Sequence, residues 1–383
     1  MSKNIDIQIK EITRSLNHVV KTNLLENISD TNKLDKQDYD YNITIPSKLV
    51  LEFTGKNNAN VILNTLRRVM MNNIPSYAFC PELIKITDNT TLFNNDYMKL
   101  RLSQLSVLDT ELDIYYLDPI YWLGVDYSDP KRPRHSSEKQ IEIAINAYND
   151  TNHNKNITTN DIHYYEDGIE VHKYNKENPL LLIQLRPAET FKCSMRAALG
   201  VGERDNIWAG AGNAYYNDFT TNEITGEFIE NKNNKKHLIV ESQGQCNEYM
   251  LLVKACNYIV KRLDDIKNDL NKKFTSKQIK KSQDLIIILD GEDHTMGQLL
   301  NYSFQNHPEI LFSGISKPDH LVRSIKFKIA CSDKFETPLI PMYEQIEQLK
   351  ETYLYIEKEL IKLENSTKKK KEQNRNTNIK SKK

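Results

Sequence analysis

The chain has 383 residues and balances 52 Lys and Arg residues against 52 Asp and Glu residues, so its formal net charge is zero. A protein that clamps nucleic acid through net positive charge is therefore not expected, and the length predicts two or three domains. Five cysteines without paired spacing and no apolar N-terminal signal indicate a reducing intracellular compartment, and no apolar run is long enough to span a bilayer, so we expect a soluble protein.

The N-terminal segment, residues 1–47, begins with isoleucines at every second position, which predicts a strand. A polar insertion from Thr13 to Asn42 follows, in which we expect a short helix around Leu16 to Leu25. The sequence of this insertion indicates no function.

The stretch from Lys48 to Pro75 predicts a strand followed by an amphipathic helix. Leu49, Leu51 and Phe53 alternate as in a half-buried strand. An apolar helical stripe then comprises Ile62, Leu66, Val69 and Met70.

The stretch from Asp284 to Pro308 repeats the same order of elements. An apolar run from Leu285 to Leu289 predicts a strand, and Glu292 and Asp293 provide the negative charge that favours a helix start. The following helical stripe comprises Met296, Leu299, Leu300 and Phe304.

Each of these stretches is followed, later in the chain, by a long helix with an apolar seam at steps of three and four. The first seam comprises Tyr249, Leu252, Cys256, Ile259, Leu263, Ile266 and Leu270, and the second Ile346, Leu349, Tyr353, Ile356, Leu360 and Leu363. The order strand, short helix, long helix thus occurs twice. We predict an α+β protein in which two related units bury their helical stripes against each other, as an intramolecular pseudo-dimer.

At these residues the chain resembles subunits of multisubunit RNA polymerases. The segment GEDHTMGQLLN, with LFSGISKPDHLVRSIKFKI after it, is similar to the eleventh subunit of eukaryotic RNA polymerase II and the archaeal L subunit. The segment NVILNTLRRVMMNNIPSYAF is similar to the third-largest subunit, the archaeal D subunit and the bacterial alpha subunit. In those families the two partners are separate chains. The resemblance implies that the two partners are fused in this chain, which is similar to what large cytoplasmic DNA viruses carry.

The resemblance implies a non-catalytic platform of a DNA-directed RNA polymerase, a nucleotidyltransferase complex whose two largest subunits perform catalysis in transcription. It implies these two subunits, and small polymerase subunits, as partners, with DNA reached only through the complex. No membrane, cofactor or homo-oligomer is expected. The expected location is the viral particle and host cytoplasm for a viral protein, and otherwise the nucleus.

From the repeat and the resemblance we divide the chain into four parts. Residues 1–108 and 235–272 form the first dimerisation unit, and residues 273–365 form the second. Residues 109–234 form a β-rich insert domain, and residues 366–383 form a disordered basic tail. The tail carries +7, so the remaining body carries −7.

The resemblance also implies two sets of site residues. The surface toward the large subunits comprises Arg67, Arg68, Arg101, Gly200, Gly202, Arg204 and Trp208. The pseudo-dimer seam comprises Ile62, Leu66, Val69, Leu252, Ile259, Leu263, Met296, Leu299, Leu300, Ile346, Leu349, Tyr353 and Ile356. For Arg67 and Arg68, the residue pattern alone also fits a solvated helix face.

In many members of the resembled family the insert domain holds zinc or an iron–sulfur cluster on four cysteines. This chain has no cysteine between Cys80 and Cys193, so we predict no metal. We expect the stretch from Asp109 to Gln140, which includes Trp122, to replace that module as an exposed loop.

Other interpretations of the same residues remain open. Glu292, Asp293, His294 and His307 are residue types found in metal-dependent hydrolases, although helix capping accounts for the acidic pair. The seams could bind an outside helix, as in a stand-alone coiled-coil adaptor.

Three further features have a structural and a functional interpretation. The glycines at positions 200, 202, 210 and 212 match no phosphate-binding spacing, so a protein-contact loop is the better interpretation. Cys193 and Cys256 fit buried apolar positions better than nucleophilic ones. The run Lys368 to Lys371 is either a solvated terminus, which we favour, or a nuclear-import or nucleic-acid patch.

Overall fold

The fold is given by a computed structural model that contains five α-helices in its described part. It describes residues 6–15, 18–23, 40–45, 47–55, 60–110, 112–217, 219–221, 228–230, 235–274, 284–319 and 321–380. The helices are α1 (Asn60–Asn72), α2 (Asn95–Ser103), α3 (Glu248–Lys273), α4 (His294–Gln305) and α5 (Leu339–Lys380).

Twenty strands lie in the same described ranges. They are β1 (Gln8–Ser15), β2 (His18–Asn23), β3 (Asp40–Ile45), β4 (Lys48–Thr54), β5 (Ser76–Ala78), β6 (Ile84–Asn89), β7 (Ile141–Tyr148), β8 (Lys155–Thr158), β9 (Ile162–Glu166), β10 (Ile169–Val171), β11 (Leu181–Leu185), β12 (Thr190–Arg196), β13 (Ala198–Gly200), β14 (Ala211–Asn217), β15 (Phe219–Thr221), β16 (Phe228–Glu230), β17 (Lys235–Ser242), β18 (Asp284–Asp290), β19 (Ile310–Ser316) and β20 (Ser324–Cys331).

The first unit is an antiparallel sheet with the order β1-β4-β17-β14, against which α1 and α3 pack. Leu51 of β4 lies opposite Leu238 of β17, and both are fully buried. Alternate side chains of a strand point to opposite faces, so the alternation in β4 directs one face of the sheet to the helices.

The second unit is a smaller antiparallel sheet with the order β18-β20-β19, covered by α4 and α5. Ile287 of β18 lies opposite Phe327 of β20, and the ring of Phe304 on α4 packs edge-on against Phe327 at 5.9 Å between centroids. Asp293 is the N-cap of α4, as the acidic pair predicts, and its carboxylate accepts a hydrogen bond from the Thr295 amide.

The helices of both units contribute to one hydrophobic core. In it α1 packs against α3 and α4, and α5 packs against α3 and α4. All thirteen residues that we predicted for the seam belong to this core and are at most 5% exposed. The apolar stripes of the two units therefore bury one another within a single chain.

A third unit has its own core and a five-stranded sheet with the order β10-β9-β7-β12-β6. Its extent differs from the predicted range of 109–234. Strand β6, before that range, pairs with β12 and belongs to this unit, whereas β14, inside the range, pairs with β17 of the first unit. Local alternation shows that a segment is a strand, but it does not show which sheet the strand joins.

The stretch from Asp109 to Gln140 is irregular and has many exposed residues, as expected, but some of its large side chains are buried. Trp122 is only 5% exposed, and its indole nitrogen donates to the Leu117 carbonyl at 3.2 Å. Arg132 is buried in an ion pair with Glu138. The loop is folded because its aromatic and charged side chains find partners within it.

Two terminal predictions also differ from the structure. The polar insertion contains a strand, β2, where we expected a helix, and β2 pairs with β3.

The basic tail, predicted as disordered, continues α5 to Lys380. The tail lacks Gly and Pro and is rich in Lys, which is compatible with a helix. Ile5, the first of the alternating isoleucines, lies outside the described residues, as do residues 275–283 and 381–383.

Candidate functional site

The contact between α1 and α4 joins the two units through a polar side chain as well as apolar ones. Arg68 donates from Nε to the Thr295 hydroxyl at 2.9 Å, and its guanidinium lies 4.0 Å from the Asp293 carboxylate. The Arg68 side chain is 39% exposed. Arg68, which we predicted for the outer surface, therefore lies across the boundary between the units.

The polar contacts of the Arg67 side chain lie within α1. Its Nε donates to the Asn64 side chain at 3.1 Å, and it lies beside the Met71 sulfur. The residue is half-buried. Of the adjacent arginines on α1, Arg67 is thus the one whose side chain is not held by the second unit, and it suits an external contact better than Arg68.

A buried ion pair joins the middle of α3 to the start of α4. Arg262 of the first unit pairs with Glu292 of the second, which is only 4% exposed. Burial raises the pKa of Glu292, and the attraction of Arg262 opposes that effect. A buried charge is costly without its partner, so this pair ties the two units together in one arrangement.

A second ion pair links the loop after β13 to the second unit. Glu203 pairs with Arg323, and it also accepts a hydrogen bond from the Asn73 side chain at 3.1 Å. The Glu203 amide donates to the Asn72 carbonyl at the end of α1 at 2.7 Å. This loop therefore contacts both units.

The two glycines that we predicted for the partner surface permit close packing inside the chain. A Cβ atom on Gly202 would lie 2.1 Å from the Met71 carbonyl oxygen, and one on Gly200 would lie 2.7 Å from the Trp208 ring. Any larger residue would push the loop away from α1 or from the indole. Glycine at these positions is thus explained by contacts within the chain.

Trp208 is 2% exposed, and its indole nitrogen donates to the Ala198 carbonyl at 2.9 Å. Its ring stacks on Tyr127, with centroids 5.2 Å apart. A side chain this buried stabilises the loop and does not itself form an outer surface. The direct partner contact that we predicted for Trp208 is therefore not supported by its position.

Arg204 and Arg101 also have partners within the chain. Arg204 donates to the Trp122 carbonyl at 2.6 Å, and its guanidinium lies over the Tyr127 ring at 4.3 Å. Arg101 donates to the carbonyls of Leu182 and Leu181, at 2.8 and 3.0 Å, and so joins α2 to β11. Both arginines hold surface segments in place.

The geometry does not support the metal-dependent hydrolase interpretation. His294 is exposed at the start of α4, whereas His307 is buried and its Nε2 lies 3.3 Å from the Glu344 carboxylate. Glu292 is occupied by Arg262. Within the described ranges, no group of three or more His, Cys, Asp or Glu residues is placed to hold a metal ion.

The two cysteines considered as nucleophiles occupy apolar surroundings. Cys256 lies in the core shared by both units, and Cys193 lies in the core of the third unit. Burial raises the pKa of Cys193 to about 12 and also raises that of Cys256. Thiolates are the reactive form, so neither position favours nucleophilic chemistry.

Sequence analysis missed an exposed apolar patch around α2. The rings of Phe93 and Tyr97 stack with centroids 5.1 Å apart, and Leu100 lies one helical turn further on, 61% exposed. Leu92 is 72% exposed, and Leu181 is brought close by Arg101. Apolar side chains clustered in this way mark interaction surfaces. The sequence signal for this patch is that the apolar residues of α2 do not all fall on one face of the helix.

None of the helices in the described part of the chain is both long enough and apolar enough to cross a membrane. No protein-family model matches the sequence. The chain is 27% identical over 335 residues to a protein of Acanthamoeba polyphaga mimivirus named "Putative DNA directed RNA polymerase subunit R470". The similarity covers 79% of this chain and 90% of that protein.

Proposed function

We propose that this chain is a subunit of a DNA-directed RNA polymerase and that it acts as a non-catalytic assembly platform for the two largest subunits. Two observations support this proposal. The chain is similar to the mimivirus protein over most of the length of both. The helices of its two units share one core, as an intramolecular pseudo-dimer requires.

The shared core gives the platform its physical basis. Packed helices and the buried Arg262–Glu292 pair hold the two sheets in one relative orientation. Two docking faces of different shape then lie on one rigid body, one on each unit. The covalent connection replaces a bimolecular pairing of units by a high effective concentration.

We assign the docking of one large subunit to the end of α1 and the loop that packs on it. Arg67 lies in the second half of α1, and the Glu203 amide ties the loop to Asn72 at the end of the helix. The planar guanidinium of Arg67 suits carboxylates or carbonyl groups across an interface. The buried Trp208 and the glycines at 200 and 202 support this face from behind.

We assign the small polymerase subunits to the apolar patch on α2. Leu92, just before α2, and Tyr97 and Leu100, on α2, are exposed there. Such a patch costs solubility unless a partner covers it. The patch lies on the third unit and is therefore separate from the Arg67 face.

The experiment is to purify the tagged full-length chain from cells that contain the complex and to quantify the chains that accompany it. We expect the two largest polymerase subunits to accompany the wild-type chain. Arg67→Glu should reduce their recovery at least tenfold, because it reverses the charge at the docking face. A matched reversal at the exposed Arg186 should leave recovery unchanged. Equal recovery with Arg67→Glu would refute the assignment of this face.

A further inference from the structure

A segment from Leu112 to Leu123, which we call the strap, is fixed along α3. The Lys254 ammonium donates to the Leu112 carbonyl at 2.6 Å, and the Lys261 ammonium lies 4.3 Å from the centre of the Tyr116 ring. These lysines are seven residues apart, about two helical turns. The strap therefore follows α3 over that length.

The far end of the strap is fixed to the loop after β13. Arg204 donates to the Trp122 carbonyl at 2.6 Å, and Trp122 is buried. The neighbouring residue Glu203 pairs with Arg323 of the second unit. The end of the strap is thus connected through two side-chain contacts to the loop between β19 and β20.

Exposed apolar side chains lie on both sides of these contacts. On the strap, Ile120 is 62% exposed and Leu123 is 60% exposed. A short 3-10 turn, Pro119–Tyr121, capped by Asp118, holds Ile120 in place. In the loop of the second unit, next to Arg323, Leu321 is 95% exposed and Val322 is 51% exposed.

The exposed charges of the strap are negative, whereas the loop of the second unit carries the half-buried Lys317 as well as Asp319. Asp113, Asp118 and Asp126 are exposed on or beside the strap, and Asp319 is exposed beside Leu321. A second copy of the chain that docked here through the same surface would bring these carboxylates together, which is unfavourable. A segment with apolar side chains flanked by Lys or Arg would complement both the apolar groups and the charge.

We propose that the strap and Leu321–Val322 form one docking surface for an apolar polypeptide segment flanked by Lys or Arg, carried by another subunit of the polymerase. This inference rests on the proposed function. The surface combines residues of the third and second units, so it is complete only when the units are packed together. A partner that binds it therefore selects the correctly folded chain.

The first experiment places a benzophenone-bearing amino acid at position 123 of the full-length chain and, as a matched control, at position 169, where Ile169 is 68% exposed on β10. The complex is purified, irradiated and digested, and cross-linked peptides are identified by mass spectrometry. We expect position 123 to cross-link to a peptide of another polymerase subunit that contains apolar residues flanked by Lys or Arg. Position 169 should give no such product.

The second experiment measures binding of that peptide, made synthetically, to the purified full-length chain. Combined Ile120→Ser and Leu123→Ser should weaken binding at least tenfold, whereas Ile169→Ser should not change it. Asp113→Lys, which leaves the Asp118 cap in place, should weaken binding more at low salt than at high salt. These residues are exposed, and unchanged thermal unfolding will show that the variants fold.

Three outcomes would overturn the inference. A cross-link from position 123 to a second copy would make the surface a homotypic contact. A complex that contains the large subunits but shows no cross-link from position 123 to another chain would refute this surface and leave the proposed function intact. Failure of any polymerase subunit to accompany the wild-type chain would refute both.

Discussion

The Tyr353 hydroxyl of α5 donates a hydrogen bond to the Ile62 carbonyl of α1 at 3.3 Å, although the two residues are 291 positions apart in the sequence. Tyr353 is fully buried, and burial raises the pKa of its hydroxyl well above the usual value. The last helix of the second unit thus contacts the first helix of the first unit. This contact connects the apolar stripe of α1 to the apolar seam of α5, both of which the sequence predicts.

Substitution of Tyr353 tests the contribution of this contact to stability. We expect Tyr353→Phe to lower the free energy of unfolding by about 1 kcal/mol, because one hydrogen bond is lost. Tyr353→Ala should lower it by about 3–5 kcal/mol, because a large cavity forms. Urea unfolding followed by circular dichroism measures both, with Tyr355→Phe as a control on the more exposed side of α5. A Tyr353→Ala variant as stable as wild type would contradict the shared core.

The Arg262–Glu292 pair predicts a strongly non-additive response to substitution. Glu292→Ala should lower the free energy of unfolding by about 1.5–3 kcal/mol, because the half-buried Arg262 then keeps only Asp265, at 3.2 Å, as a carboxylate partner. Combined Arg262→Leu and Glu292→Leu should cost less than Glu292→Ala alone. As a control, Lys362→Ala breaks an exposed pair with Glu359 and should leave the free energy of unfolding nearly unchanged. Additive costs in the double variant would show that the two charges do not interact.

The Glu347 carboxylate predicts a pH dependence of stability. A hydrogen bond from Lys267 of α3, at 2.6 Å, is the main cause that lowers the pKa of Glu347 below its ordinary value of 4.5. A carboxylate with a lowered pKa stabilises the folded state above its ordinary pKa. This contribution is lost as the pH falls from about 5 to below 4.

We therefore expect Glu347→Gln to lower the Tm at pH 7 and to lower it by less at pH 3. The matched control is Glu351→Gln, an exposed carboxylate four residues further along α5. The Tm difference between Glu351→Gln and wild type should change less between pH 7 and pH 3. If the Tm difference between Glu347→Gln and wild type grew toward low pH, the pKa of Glu347 would not be lowered in the folded state. Differential scanning calorimetry measures each Tm.

Gly202, in the loop after β13, and Gly212, in β14, predict a sharp contrast between two alanine substitutions. Gly202→Ala should destabilise the chain by about 1–3 kcal/mol, because the new Cβ would meet the Met71 carbonyl. Gly212→Ala should be tolerated, since the nearest atom to its Cβ would lie 3.6 Å away. Thermal unfolding of the two variants checks this contrast. Equal Tm values would show that the loop does not pack against α1 as described.

Much of the helical core could be predicted from the sequence. The stripes at Ile62 and Leu299 and the seams of α3 and α5 have helical periodicity, and periodicity reports directly which face of a helix is apolar. The N-cap role of Asp293 could also be predicted, because it depends only on neighbouring residues in the sequence. These features depend on residues close together in the chain, so a pattern in the sequence is enough to reveal them.

The features that sequence analysis missed depend on long-range contacts. The pairing of β6 with β12 and of β14 with β17 decides the limits of the third unit, and no local pattern reports it. Arg68 could not be assigned to the second unit because its partner Thr295 is 227 positions away. The contact between Arg204 and the Trp122 carbonyl is of the same long-range kind.

The most direct test of the platform is native mass spectrometry of the complex purified through this chain. We predict one copy of the chain together with one copy of each of the two largest polymerase subunits, with no homodimer of the chain. A stable homodimer that lacks both large subunits, in material purified from cells that contain the polymerase, would contradict the proposal.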